Sequence, residues 1–289
     1  QLFQYRSLFF AIGVLVIVGV LDDMHSLTVT KKLIAQVFAM VLITSWGGIY
    51  LTQLGDLFGL GRIDLRDWAI PFTVICALGV INALNMSDGM DGLAGGISLL
   101  AFFWFGVAAL VIGQSVSAQL IFLFACVLLG FLFFNMRHPW RERANVFMGD
   151  SGSMMLGLAL TWFSVELTQG GHQHKLSPIT AVWIIALPLM DMGSIVLRRM
   201  TGGRSPFSAD QGHLHHILLL AGYTERQVVV ILLCASLLFG GGGFVAWRLH
   251  VPDFLMFYAF MAIFVLYCYA MCHERKLMKL LKHLRNPVT

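Results

Sequence analysis

Charge is what this chain has least of. Only 12% of its 289 residues are Asp, Glu, Lys or Arg, where a soluble domain carries about a quarter. That scarcity argues against a disordered chain, a typical soluble enzyme and a nucleic-acid-binding domain, whose footprint is a dense basic patch. Strand-type alternation of period two is missing as well, which argues against a β-barrel. No two cysteines have C-x-x-C spacing. Cys76, Cys126, Cys234, Cys268 and Cys272 all lie in apolar runs and read as packing thiols, not as metal ligands or a disulfide framework. There is no soluble domain, low-complexity tract or convincing internal repeat, and the chain opens at Gln1 with no signal peptide.

What is present is apolar. The hydrophobic fraction is 58%, with 23 Phe and 7 Trp, and the mean hydropathy is +0.80. A helix crossing the hydrocarbon core needs about 20 apolar residues. Nine segments approach that length: 7–21, 33–51, 69–84, 97–112, 119–135, 153–168, 178–197, 228–247 and 252–271. The expected fold is an all-α, polytopic integral membrane protein built as a single transmembrane domain over 1–289. Gly240–Gly243, inside one span, suits close helix packing better than phosphate binding. Basic residues then orient the chain. Fourteen of the 19 Lys and Arg fall in the segments 22–32, 85–96, 136–152, 198–227 and the tail from 272, so these are expected in the cytoplasm. The basic tail from Arg275 to Arg285 is expected to touch anionic lipid.

Polar clusters recur on that same side: Asp22-Asp23, then Asn82, Asn85, Asp88 and Asp91 at intervals of three, then Asp150 in NVFMGDSGS, then His213, His215 and His216. Two spans separate each from the next, and an even number of crossings returns the chain to the same face, so one shared site is expected. Residues three apart lie on one helical face, which lets Asn82, Asn85 and Asp88 address one ligand. The DGMDG stretch lacks the spacing of a calcium loop. GDSG in an all-helical chain, with its serine opening a span, is not a protease nucleophile. Asp191 falls inside a span, roughly 10 Å from its basic end. An intramembrane carboxylate is a functional candidate by default, and the competing reading is a structural hydrogen bond to a neighbouring helix. Carboxylates and amides suit magnesium, which keeps waters and bridges phosphates. Lys32, Arg204 and the histidines suit the phosphate oxygens. Together they point to displacement at phosphorus between a soluble and a lipid-borne phosphate. A carrier that uses the carboxylates as an ion path is the competing class, and it would place its polar groups near the midplane.

LDDMHSL, NALNMSDGMDGLAGG, NVFMGDSGSMMLG and GRSPFSADQGHLHH, in that order, resemble the motifs of the polyprenyl-phosphate N-acetylhexosamine-1-phosphate transferases. The branch most similar makes undecaprenyl-diphospho-N-acetylglucosamine (GlcNAc), the first lipid-linked step of O-antigen and enterobacterial common antigen synthesis. The resemblance implies about eleven spans in a full-length member, so this chain is expected to lack N-terminal ones. It implies UDP-GlcNAc and undecaprenyl phosphate as substrates, magnesium or a manganese substitute, a bacterial inner-membrane location with a cytoplasmic site, a possible homodimer and no nucleic acid. A sister transferase using another UDP-N-acetylhexosamine is the alternative. By position, Asp150 would ligate the metal with Asn85. Asp88 and Asp91 would orient nucleotide or metal, and Phe147 would stack on uracil. Lys32 would meet phosphate, and His213, His215 and His216 with Arg204 would hold the diphosphate. Asp22 or Asp23 would deprotonate or position the lipid phosphate. A phosphate monoester has a second pKa near 6, so positioning is the expected role.

Overall fold

The computed structural model describes residues 5–137, 143–169, 175–203, 205 and 212–285. Among these, twelve α-helices carry the fold: α1 (Arg6–His25), α2 (Val29–Val41), α3 (Ala69–Ser87), α4 (Leu93–Val111), α5 (Ser115–Asn135), α6 (Gly149–Gln169), α7 (Pro178–Ile184), α8 (Ala186–Thr201), α9 (Leu214–Leu220), α10 (Glu225–Arg248), α11 (Asp253–Cys272) and α12 (Glu274–Arg285). Seven helical segments are long and apolar enough to cross a bilayer, and the bent pair α7–α8 makes an eighth. The chain is a multi-pass membrane protein.

Two of the nine expected spans differ from the simple reading. Residues 178–197 break at Ile185, where α7 and α8 meet at a bend of 83°. Pro188 explains the break. It has no N–H for the carbonyl of Ile184, and its ring crowds that carbonyl. The segment 153–168 is helical, as part of α6, but mixes Gly, Ser, Thr and Glu166 with its apolar residues. Fourteen of the 21 residues of α6 are buried, and α1, α3 and α4 pack around it. An interior helix faces protein and not lipid, so it tolerates this composition. Its Glu166 accepts a hydrogen bond from Ser117 Oγ at 2.9 Å, and Ser117 in turn lies 3.0 Å from Tyr5 Oη. The stretch after α2 widens into a π-turn over Leu42–Trp46. The connection that follows folds back on itself, pairing Gln53 with Asp64.

Lipid tails are as apolar as leucine, so helices in a bilayer hold together by close contact at small residues. A Cβ on Gly157 of α6 would come within 2.6 Å of the Ile81 Cα of α3, and one on Gly19 of α1 would overlap the Ser151 backbone of α6. Gly240 and Gly243 of α10 likewise seat Trp104 and Trp183, which is the packing role expected of that run.

Gly19→Ala must therefore push α1 away from α6. Overpacking costs about 1–3 kcal/mol against a helix-propensity gain of about 1 kcal/mol for replacing glycine by alanine. Gly13, on the same helix, has open space around its Cβ position. Thermal unfolding in detergent should show Gly13→Ala unchanged or stabilised and Gly19→Ala destabilised. Equal midpoints would mean that the α1–α6 approach is not tight.

Candidate functional site

The site is built from helix ends. The last turn of α1 carries Asp22 and Asp23. The backbone then turns through Ser26 at φ 49°, which lets Asp22 Oδ1 accept from the Leu27 N–H at 2.6 Å. Asp22 Oδ2 accepts from Lys32 Nζ at 3.0 Å. Lys32, in the first turn of α2, donates also to Asp150 Oδ2 at 2.8 Å. One ammonium thus joins two carboxylates 128 residues apart in sequence. Asp150 lies in the first turn of α6, where the exposed N–H groups and the helix dipole favour an anion. Its Oδ1 accepts from Asn85 Nδ2 at 3.1 Å, and Asn85, in the last turn of α3, also donates to Ser153 Oγ at 2.9 Å. Asp23 Oδ1 accepts from the Asp150 N–H at 3.4 Å. Gly149 is required here on two counts. Its φ is 65°, and a Cβ would stand 2.8 Å from Asp23 Oδ2.

Asp88, at the C-terminal cap of α3, faces this group. Burial, with the negative charges of Asp150, Asp23 and Asp91, pushes its carboxyl up to about 7. Among the described residues, carboxylates here outnumber the nearby cations, which is the condition that draws in a metal ion or a proton. Among the described residues no three His, Cys, Asp or Glu side chains stand at metal-holding spacing. Magnesium does not need such a cage, because one or two carboxylates plus substrate phosphates and water suffice. Asp150 and the Asn85 amide oxygen are hard donors of that kind, so the residues fit the ion.

The loop after Asp88 is held from two sides. Asp91 accepts from Arg137 Nε at 2.8 Å, and Arg137 Nη2 reaches Glu225 Oε2 at 2.6 Å. Asn135 Oδ1 accepts from the Gly92 N–H at 2.8 Å while its Nδ2 donates to Val146 O at 2.7 Å. That second bond fixes the strand of chain that presents Phe147, whose ring is 79% exposed and open to stacking. Asn135 and Arg137 were not among the expected site residues. The signal available was an amide and a guanidinium closing an apolar run of 15 residues, 120–134.

The histidines complete the site. His213 Nδ1 lies 2.7 Å from Asp191 Oδ2. Asp191 Oδ1 accepts from the Leu214 N–H at 3.1 Å and from Tyr267 Oη at 2.7 Å. Asp191 therefore makes inter-helix hydrogen bonds, and through them it fixes the histidine segment. His215 stacks on His213 at 5.3 Å and lies 4.2 Å from His216, centroid to centroid. Burial and the two neighbouring imidazoles push His215 down to about 4, so it is neutral at physiological pH. Its Nε2 is buried and has no hydrogen-bond partner. That atom lies 2.9 Å from where a Cβ on Gly89 would be, which brings the histidines against the DGMDG loop.

Four of the expected clusters thus meet at one end of the bundle. Asn82 does not join the Asp150 centre. It donates to Gln36 Oε1 at 2.8 Å and to its own helix at Leu78 O, one turn deeper, where it ties α3 to α2. Arg204 lies outside the described residues.

Residues 5–168 match the model of a family described as glycosyl transferase family 4. Among curated relatives, an undecaprenyl-phosphate alpha-N-acetylglucosaminyl 1-phosphate transferase of Escherichia coli O157:H7 is 37% identical over 284 residues, 98% of this chain and 77% of the relative. Proteins of the same name from Yersinia pestis and Haemophilus influenzae are 35% and 34% identical, over 99% and 96% of this chain and 78% of each relative.

The raised carboxyl of Asp88 sets a pH dependence. The folded chain holds this proton to about pH 7, while an ordinary Asp carboxyl releases it near 3.8. Between those values the folded state binds more protons, so stability declines as pH rises through that window. Asp88→Asn removes the effect. With a chelator present, its unfolding midpoint should gain on the wild type between pH 5 and pH 8. Parallel profiles would show that Asp88 ionises normally.

Proposed function

Since the chain belongs to glycosyl transferase family 4, we propose that it is a phosphoglycosyl transferase that moves GlcNAc-1-phosphate from UDP-GlcNAc to undecaprenyl phosphate, and that it does so at the cytoplasmic face of a bacterial inner membrane. The products are undecaprenyl-diphospho-GlcNAc and UMP. The observation that carries the reading is the Lys32 bridge between Asp22 and Asp150, with Asn85 on the far side of Asp150 and the histidines beyond the DGMDG loop. That arrangement alternates acid and base over a short span, as a metal–diphosphate ligand requires. It lies where helices meet the bilayer surface, so a lipid phosphate can reach it without its chain leaving the membrane. An ion carrier would instead centre its polar groups on the midplane.

In the reaction an oxygen of the lipid phosphate bonds to the phosphorus beside the sugar. The bond from that phosphorus to the bridging oxygen breaks, and UMP leaves with that oxygen. Magnesium, held by Asp150 and Asn85, would neutralise charge on the diphosphate oxygens. Lys32 supplies a second positive charge and is already oriented by two carboxylates. Asp88 and Asp91 line the loop that receives the nucleotide, and Phe147 offers its exposed ring to the base. His213, His215 and His216 face the phosphates from α9 and the residues before it. Arg204 belongs to the same sequence motif.

The lipid phosphate is largely dianionic at neutral pH, so no base is needed to ionise it. Both Asp22 oxygens already accept hydrogen bonds, from Leu27 N–H and from Lys32, and Asp23 accepts from Asp150 N–H. Their role is to hold Lys32 and the start of α6 in place.

Two measurements test this. Purified protein given undecaprenyl phosphate, magnesium and a panel of UDP-sugars should release UMP with UDP-GlcNAc. Asp150→Asn should lower that rate on the order of 100-fold, the scale of losing one preorganised electrostatic group. Release with a different UDP-N-acetylhexosamine alone would reassign the sugar, and none with any sugar would end the reading. Second, Asp22→Asn and Asp23→Asn should slow the reaction by a factor that stays constant from pH 6 to 9. Recovery of the rate with rising pH would identify proton removal as their main work.

A further inference from the structure

The proposed reaction makes no use of the last helix. α12 follows α11 after a break at His273 and so emerges at the same end of the bundle as the site. Its sequence, ERKLMKLLKHLR, carries Arg275, Lys276, Lys279, Lys282 and Arg285, all exposed. None of these five cations has an ion-pair partner among the described residues. The helix's own carboxylate, Glu274, is taken by Arg198 at the end of α8. The other side of α12 is apolar. Leu281 packs against the main core, and its carbonyl accepts from Tyr223 Oη at 3.2 Å. Leu280, beside it, stays 55% exposed.

A short helix with a lysine-rich face, an apolar stripe and a membrane span at its N-terminal end has the form of an interfacial helix. Its unmet charge is positive, and no described carboxylate pairs with it. The bilayer surface does, because phospholipid headgroups supply phosphate oxygens at the level where α11 ends. We propose that α12 lies along the bilayer surface on the site's side of the membrane and binds anionic phospholipid headgroups through Lys276, Lys279 and Lys282. The helix is also a brace. It packs on α9, which carries His215 and His216, the Arg285 guanidinium reaches Gly222 in the turn after α9, and Glu274 holds α8 through Arg198. Headgroup binding therefore steadies the histidine segment from below.

Hydrogen exchange tests the contact without reference to catalysis, so it stands or falls apart from the proposed reaction. The full chain is placed in nanodiscs of phosphatidylcholine alone or doped with phosphatidylglycerol. Amides in 274–285 should exchange at least about tenfold more slowly in the anionic discs at low salt, since each lysine near an anionic surface contributes a roughly fivefold preference. The difference should vanish at about 0.5 M salt. It should also vanish in a variant carrying Lys276→Gln, Lys279→Gln and Lys282→Gln whose α4 amides remain protected. Equal exchange in the two lipids overturns the proposal, as would occur if α12 served an acidic protein partner. Slowing in neutral discs on adding inorganic phosphate also overturns it, because the ligand would then be a free anion. The salt response of the wild-type chain decides the question even if the triple variant fails to fold.

Discussion

One ammonium organises this end of the molecule. Lys32 lies between Asp22 and Asp150 at hydrogen-bonding distance from both, and no other described cation pairs with either carboxylate. Without it, carboxylates from α1 and α6 would face one another near the low-dielectric edge of the bilayer, where like charges repel strongly. The lysine makes the cluster tolerable but does not neutralise it. Asp88 is left with a carboxyl raised to about 7 by its burial and by the negative charges of Asp150, Asp23 and Asp91. A centre left in that state is one that gains by accepting a divalent cation.

The packing exists to deliver those groups. Asp150 opens α6, the helix most enclosed by its neighbours, so its position is set by contacts along the whole length of the bundle. α1 comes close enough to place Asp22 and Asp23 because Gly19 admits the Ser151 backbone. α3 comes close enough to place Asn85 because Gly157 admits Ile81. Small residues drive helix association in lipid, and here the same small residues fix the spacing between carboxylates. Stability and site geometry therefore share one set of contacts. A methyl group added at either glycine strains both.

Much of this could be read in the chain before any coordinates. Hydropathy found every long helix, and counting crossings put the polar clusters at one end, because both depend on bilayer thickness and not on side-chain detail. What escaped was what depends on tertiary neighbours. The bend at Ile185 follows from Pro188, but an apolar run hides it. The turn of Asn82 toward Gln36 and away from Asp150 reflects the depth of its α3 position, which spacing of three does not encode. Asn135 and Arg137 close an apolar run, and what they hold is visible only in their partners Gly92, Val146, Asp91 and Glu225. Arg204 falls in a motif legible in sequence but outside the described residues.

The histidine segment shows how a buried basic group can wait for an anion. Asp191 holds His213 in place through one oxygen, while Tyr267 and the Leu214 N–H hold the other. His215 is then stacked on a ring already fixed, and burial with two imidazole neighbours holds it neutral, at about 4. A phosphate beside Gly89 would act in the opposite sense, since a nearby negative charge favours the imidazolium. It would also give the unpartnered Nε2 an oxygen to donate to. Anion binding and proton uptake at His215 are thus linked, and each strengthens the other. With no anion beside it, His215 is neutral and adds no positive charge to pull the Asp88 and Asp150 carboxylates toward it.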